Sequence, residues 1–255
     1  MMNRTKQNEH AVSPVVGVML MLVVTIIIAA VVSGFAGGLV SGEKKAPSVD
    51  IETHIINTGM FTGSGITLAV KSVSEPIPTK DLKLVTSWST TYKTGVNAGQ
   101  PLSGGATTIA GTNNTKFYTY AGHTAPYGMG PGVKSYGLWN DAPSFPDSLW
   151  GNYSITGGTN LRAYPVGPFV SYIVNSPFGG GYGAPVGGPI VADYTYHNGG
   201  SPVTGLWWTG ETDSMQGVLG TNWENLRAGE IVNVKLIHIP SGKTIYNANI
   251  AVEGA

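Results

Sequence analysis

No cysteine occurs among the 255 residues. Disulfides, thiolate metal sites and redox pairs are therefore excluded, and an exported domain of this sequence must be held together by its core alone. About 200 residues of β structure bury enough apolar surface for that. Charge is also scarce. Asp, Glu, Lys and Arg make up 11% of the chain, against about 25% in average soluble domains. The 14 basic and 14 acidic residues cancel, so no basic stripe marks a nucleic-acid surface. No Gly-x-Ser-x-Gly elbow, His-Glu-x-x-His helix or phosphate loop occurs,. Gly179–Ala184 formally fits Gly-x-Gly-x-x-Ala, but Pro185 and the surrounding glycines argue against the strand–turn–helix setting which that fingerprint needs. His54, His123, His197 and His238 stand apart in the sequence and read as surface or satisfied side chains. Asp50/Glu52 and Glu211/Asp213 have strand spacing that puts each pair on one face, the simplest arrangement for weak calcium binding,. The expectation is no catalytic residue, no cofactor and no dedicated metal site.

What the chain does have is glycine (37), proline (16) and 42% apolar residues, too much apolar surface for disorder. Low charge with abundant Thr, Ser, Tyr and Gly suits a β protein facing the outside of a cell. The apolar residues are concentrated at one place. Residues 11 to 42 carry no charge, and Val15–Val32 is long enough to cross a bilayer as a helix,. Ser13 is suited to cap that helix and Pro14 to open it, because the first helical position has no N–H partner to lose. A helix from Pro14 to Val40 would be about 40 Å long, beyond the ~30 Å hydrocarbon core. Gly34, Gly38 and Gly42 recur every four residues, a spacing for close helix contact or for a pliable neck. Three readings fit: a secretory signal with a weak cleavage site at Gly34-Phe-Ala36, a plain membrane anchor, or a leader cut before the helix. Arg4, Lys6 and Glu9 on one side and Glu43, Lys44 and Lys45 on the other leave both flanks slightly positive, so the charge rule hardly orients the span.

The ordered string Ala11-Val-Ser-Pro-Val-Val-Gly-Val-Met-Leu-Met-Leu-Val-Val-Thr-Ile-Ile-Ile-Ala-Ala-Val-Val resembles the N-terminal domain of archaeal type IV pilins. The likeness covers residues 10 to 42. It implies a leader over 1–11, removed by a prepilin peptidase between Ala11 and Val12, and a transmembrane and filament-core helix with a Gly-rich neck over 12–42. An extracellular domain over 43–255 would follow. One departure is His10, where the family usually has Lys or Arg. The resemblance also implies a helical homopolymer at the cell surface, built by an assembly ATPase and a membrane platform protein. In it Val15, Val16, Val18, Met19, Leu20, Leu22, Val23, Ile26, Ile27, Ile28, Val31 and Val32 would pack against neighbouring copies. The alternative is a minor pilin or a membrane-anchored adhesin that binds a glycan or surface. An anchored enzyme finds no site in the sequence.

Beyond Ala46-Pro47 the pattern changes to alternation. Ser48–Ile56, Gly65–Val70, Leu82–Ser89, Pro189–Tyr196 and Glu230–Ile239 read as strands,. Ile231–Ile239 and Lys243–Val252 flank Pro240-Ser-Gly242, a hairpin signal,, and this ending also resembles archaeal pilins. The expected fold is one N-terminal hydrophobic α-helix plus a mainly-β ectodomain, an antiparallel Ig-like sandwich or barrel with long Gly- and aromatic-rich loops. The loops fall in an insertion over about 91–189. Its Tyr118, Tyr120, Tyr127, Tyr136, Trp139, Trp150 and Tyr153 read mainly as packing beneath the loops, with a surface-binding face as the sharper reading. Trp207 and Trp208 would face opposite sides of a strand. Asn113-Asn-Thr115 and Asn152-Tyr-Ser154 match the N-glycosylation pattern,.

Overall fold

Pro14 opens a 28-residue helix, α1 (Pro14–Ser41), at the position where a missing N–H costs nothing,. The helix carries no acidic residue in its first turn and no basic residue in its last. Thr25 satisfies its hydroxyl inside the helix by donating to the Leu22 carbonyl at 2.9 Å. The helix runs on through Gly34, Gly37 and Gly38 to Ser41. This is a computed structural model, and it describes residues 14–41, 45–60, 63–93, 96–115, 123–134, 138–139, 142–143, 146–165, 180–182, 192–193 and 212–254. The chain divides into two units, Met1–Lys45 and Ala46–Ala255.

The second unit is built on strands. In chain order they are β1 (Val49–Ile56), β2 (Gly65–Val73), β3 (Ile77–Pro78), β4 (Leu82–Thr91), β5 (Pro101–Gly104) and β6 (Thr107–Thr108). Then come β7 (Tyr127–Met129), β8 (Leu138–Trp139), β9 (Ala142–Pro143), β10 (Ser154–Ile155), β11 (Asn160–Ala163), β12 (Gly180–Gly181) and β13 (Ala192–Asp193). A short helix, α2 (Ser214–Leu219), precedes β14 (Ile231–His238) and β15 (Lys243–Glu253). Nine of these form one curled sheet in the order β5-β4-β14-β15-β1-β2-β11-β7, with β6 also paired to β4. Its neighbours are antiparallel apart from one seam. There β1 and β15 run parallel, with Ile55 opposite Val252 and Ile56 opposite Glu253. The mainly-β, sandwich-like ectodomain expected from the alternation is what the chain forms.

The alternation explains the core. Ile51 and Ile55 of β1, Ile66, Leu68 and Val70 of β2, Leu82, Leu84 and Trp88 of β4, and Val232, Val234 and Leu236 of β14 are buried. Each such side chain contributes about 1.5–3 kcal/mol by leaving water. The closing hairpin forms as its turn signal predicts, with Gly242 in the left-handed region at φ 66°. The Pro189–Tyr196 strand reaches the described residues only at Ala192–Asp193, in a parallel pair with Gly180–Gly181. Within 91–189, β5 and β6 pair with β4, β11 pairs with β2, and β7 pairs with β11.

α2 has no counterpart in the sequence reading. All six of its residues are buried, and it packs on β4, β6 and β11. Asp213 caps it by accepting the Gln216 N–H at 2.9 Å,. The Trp88 indole N–H donates to Leu219 O at 2.6 Å, and the Thr86 hydroxyl to Val218 O at 2.5 Å, so β4 satisfies the last carbonyls of α2,.

Candidate functional site

The most distinctive surface of the molecule is α1. From Pro14 to Phe35 it is long and apolar enough to cross a membrane, and none of that stretch is buried. Every large apolar side chain between Pro14 and Phe35 is exposed, from 43% at Val24 to 71% at Met21 and Phe35. The twelve residues named above as filament-core candidates are all in this group. Apolar side chains occupy the whole circumference, so no polar face exists to rest on water. Such a helix is stable in lipid or among other apolar helices. Ala11, Val12 and Ser13 lie outside the described residues, and so does His10.

The ectodomain brings together groups that are far apart in sequence. His54 is not isolated. Its Nδ1 lies 2.8 Å from Glu253 Oε1, and its Nε2 lies 3.2 Å from Glu52 Oε1. Glu52 is also paired with Lys71. The hydrogen bonds to Glu253 and then Glu52 raise the His54 pKa above its ordinary value. Those from Lys71 and then His54 lower that of Glu52. This cluster spans the parallel seam on the solvent side. On the core side, Thr53 Oγ1 and Tyr246 Oη lie 2.8 Å apart across the same seam. His123 is half-buried and its pKa is lowered by that burial, while His238 Nδ1 meets Ser241 Oγ at 2.9 Å. His197 lies outside the described residues.

The carboxylate pairs are otherwise employed. Glu52 serves Lys71 and His54, Asp213 caps α2, and Glu211 lies outside the described residues. Among the described residues no group of three or more His, Asp or Glu side chains is placed to hold a metal ion. Of the loop aromatics, Tyr127, Trp150 and Tyr153 are core side chains at 3%, 2% and 4% exposure. Trp150 and Tyr153 meet edge to face at 6.2 Å. Tyr118, Tyr120, Tyr136, Trp207, Trp208 and the Trp139 side chain lie outside what is described. Asn113 is exposed with φ 44°. Asn152 is exposed and its Nδ2 donates to Pro146 O at 2.9 Å.

Sequence reasoning missed the residue between the two members of the first glycosylation triplet. The Asn114 side chain donates to Thr108 Oγ1 at 3.0 Å, and to Ala125 O and Gly217 O at 2.9 Å each. It accepts the Ala125 N–H at 2.7 Å. Thr115 is buried, and its hydroxyl donates to His123 O at 3.0 Å.

No curated protein matches the chain. A family model does, that of the archaeal type IV pilin N-terminal domain, from residue 10 to residue 51, which spans α1 and ends inside β1. Over that segment, which includes the exposed apolar helix, the chain is similar to the archaeal type IV pilin N-terminal domain.

Proposed function

We propose that the chain is the structural subunit of an archaeal type IV pilus-like surface filament. The family match over residues 10–51 is the observation that carries this reading. A prepilin peptidase removes residues 1–11 by cutting between Ala11 and Val12, leaving Ser13 and Pro14 to start the retained helix. The segment 12–42 then waits in the cytoplasmic membrane with 43–255 outside. An assembly ATPase and a membrane platform protein move it into a helical homopolymer, in which α1 exchanges lipid neighbours for other copies of α1. Leaving lipid brings no hydrophobic gain, so packing between helices is what favours the filament. The absence of a polar stripe on α1 suits a helix surrounded on all sides. Glycans on Asn113 and Asn152 and adhesion to surfaces complete the proposal, and the exposure of both asparagines is compatible with modification. No reaction is part of it. The adhesin alternative gains nothing from Tyr127, Trp150 and Tyr153, which are buried.

The test is mass spectrometry of the N-terminal peptide in sheared, sedimented surface material. A mature end at Val12, abundant in filaments, is the expected result. An intact end found only in membranes would leave an anchored ectodomain, and an end near Gly37 would mean an ordinary secreted protein. Ile27→Asp provides an independent check. A carboxylate at mid-helix costs roughly 2.5–3.5 kcal/mol on insertion, and Ile27→Asp filaments of normal abundance would refute the helix-bundle core.

A further inference from the structure

The charges of the ectodomain are not spread evenly along the strands. β1 and β15 run in one direction, β2 and β14 in the other, and β4 runs against β14. Val49, Val73, Leu82, His238 and Lys243 therefore all lie at the same end of the sheet. This is the end where the chain arrives from α1. Lys80, Lys83 and Lys243 gather there, with Lys235 two residues further up β14 and Lys45 in the connection.

Lys83 lies opposite Ile237, and Lys235 opposite Val85. Both project from the face turned away from Leu84 and Leu236, which are buried. They are diagonal neighbours at roughly 7–8 Å, where like charges repel. Elsewhere Lys71 of β2 is paired with Glu52, and Lys93, just beyond β4, with Glu230. Lys80, Lys83 and Lys235 make no ion pair among the described residues. Asp50, Glu75 and Asp81 are carboxylates at this end among the described residues of β1, β2 and the approach to β4. β14 has none, and that of β15 is Glu253 at the opposite end. Two unpaired lysines held side by side cost the fold something, and an external anion would relieve that cost.

We propose that this basic end of the sheet docks on anionic phosphate headgroups of the membrane in which α1 sits before assembly. The proposal rests on the reading of α1 as a membrane span. Residues 42–48 separate Ser41 from Val49, a connection that reaches about 25 Å at full extension. Lysines brought within a Debye length of about 8–10 Å of an anionic surface are attracted to it. The contact holds the waiting subunit against the bilayer and is given up when the subunit leaves for the filament.

The experiment uses the full chain in nanodiscs of phosphatidylcholine alone, or of phosphatidylcholine and phosphatidylglycerol in equal parts. Lysine acetylation rates are read site by site by mass spectrometry. Lys83, Lys235 and Lys243 are expected to react several-fold more slowly on the anionic discs, and high salt should abolish the difference. Lys93, at the far end, should react alike on both. In a Lys83→Gln/Lys235→Gln variant the protection of Lys243 should fall. Equal rates on the two lipids would overturn the proposal, as would protection that survives high salt. A chain that fails to co-purify with either disc would instead remove the membrane reading of α1 itself.

Discussion

Asn114→Ala should destabilise the ectodomain out of proportion to its size and half-exposed position. The Asn114 amide joins Thr108 in β6, the backbone at Ala125 and the Gly217 carbonyl of α2. Truncation strands the Ala125 N–H, a residue with no exposed surface, and weakens the satisfaction of two carbonyls. A buried group left without a partner costs about 1–3 kcal/mol. The carbonyls keep other options, so about 3 kcal/mol in total is a reasonable expectation. For a domain of this size each kcal/mol lowers Tm by about 2–4 °C, which gives a drop of about 6–12 °C. Asn114→Asp should be worse still, since it turns the donor toward Ala125 O and Gly217 O into a second acceptor. The control is Asn113→Gly, which removes the same glycosylation triplet at an exposed left-handed position, where glycine is at ease. Near-UV circular dichroism melts of the full chain in detergent would read all three. An Asn114→Ala Tm within about 2 °C of the parent would refute the argument.

Gly104→Ala should cost about 2 kcal/mol, measured as urea midpoint, because its Cβ would come within 2.2 Å of a Trp88 ring carbon,. Adding Trp88→Phe should recover part of that loss, and a silent Gly104→Ala would mean that Trp88 has room to move. His54 predicts a pH trend. Its pKa is raised in the folded state, so its contribution is full below the unfolded value of ~6.5. That contribution is lost as pH rises through the folded value. Both partners are about half exposed, at 45% and 50%, so screening keeps the effect small. The gap in Tm between the parent and His54→Gln should be present in mildly acidic buffer and close in alkaline buffer. An unchanged gap would rule out titration of His54 as its source.

The elements legible in the sequence are those that carry their own signal. α1 announces itself by an uncharged run opened by Pro14, and β14–β15 by alternation about Pro240-Ser-Gly242. β1, β2 and β4 could be read from the same alternation, each within a few residues of its true ends. Alternation reports which face is buried but is silent about which strand lies alongside, so the parallel seam between β1 and β15 could not be foreseen. The His54–Glu253 pair, 199 residues apart in the chain, was hidden for the same reason. α2 is too short to show a helical period, and only the Asp213 cap could have suggested it. Asn114 was masked by its neighbour, because the glycosylation pattern draws attention to Asn113. The buried Tyr127, Trp150 and Tyr153 show that a Gly- and Pro-rich texture does not make aromatic residues surface residues.

The seam between the first and last strands also bears on the order of events during synthesis. β15 is the last strand of the sheet in the chain, yet it lies in the middle, between β14 and β1. Until it has emerged, β1 and β14 each present an unpaired edge to their surroundings. The sheet cannot close from its N-terminal half alone, and its completion waits on the most distant contact in the fold. Such long-range closure is slow, and open edges invite pairing with other chains in the meantime. On the proposed reading of α1 as a membrane span, each chain would be tethered in the membrane while the middle of its sheet is still unfilled.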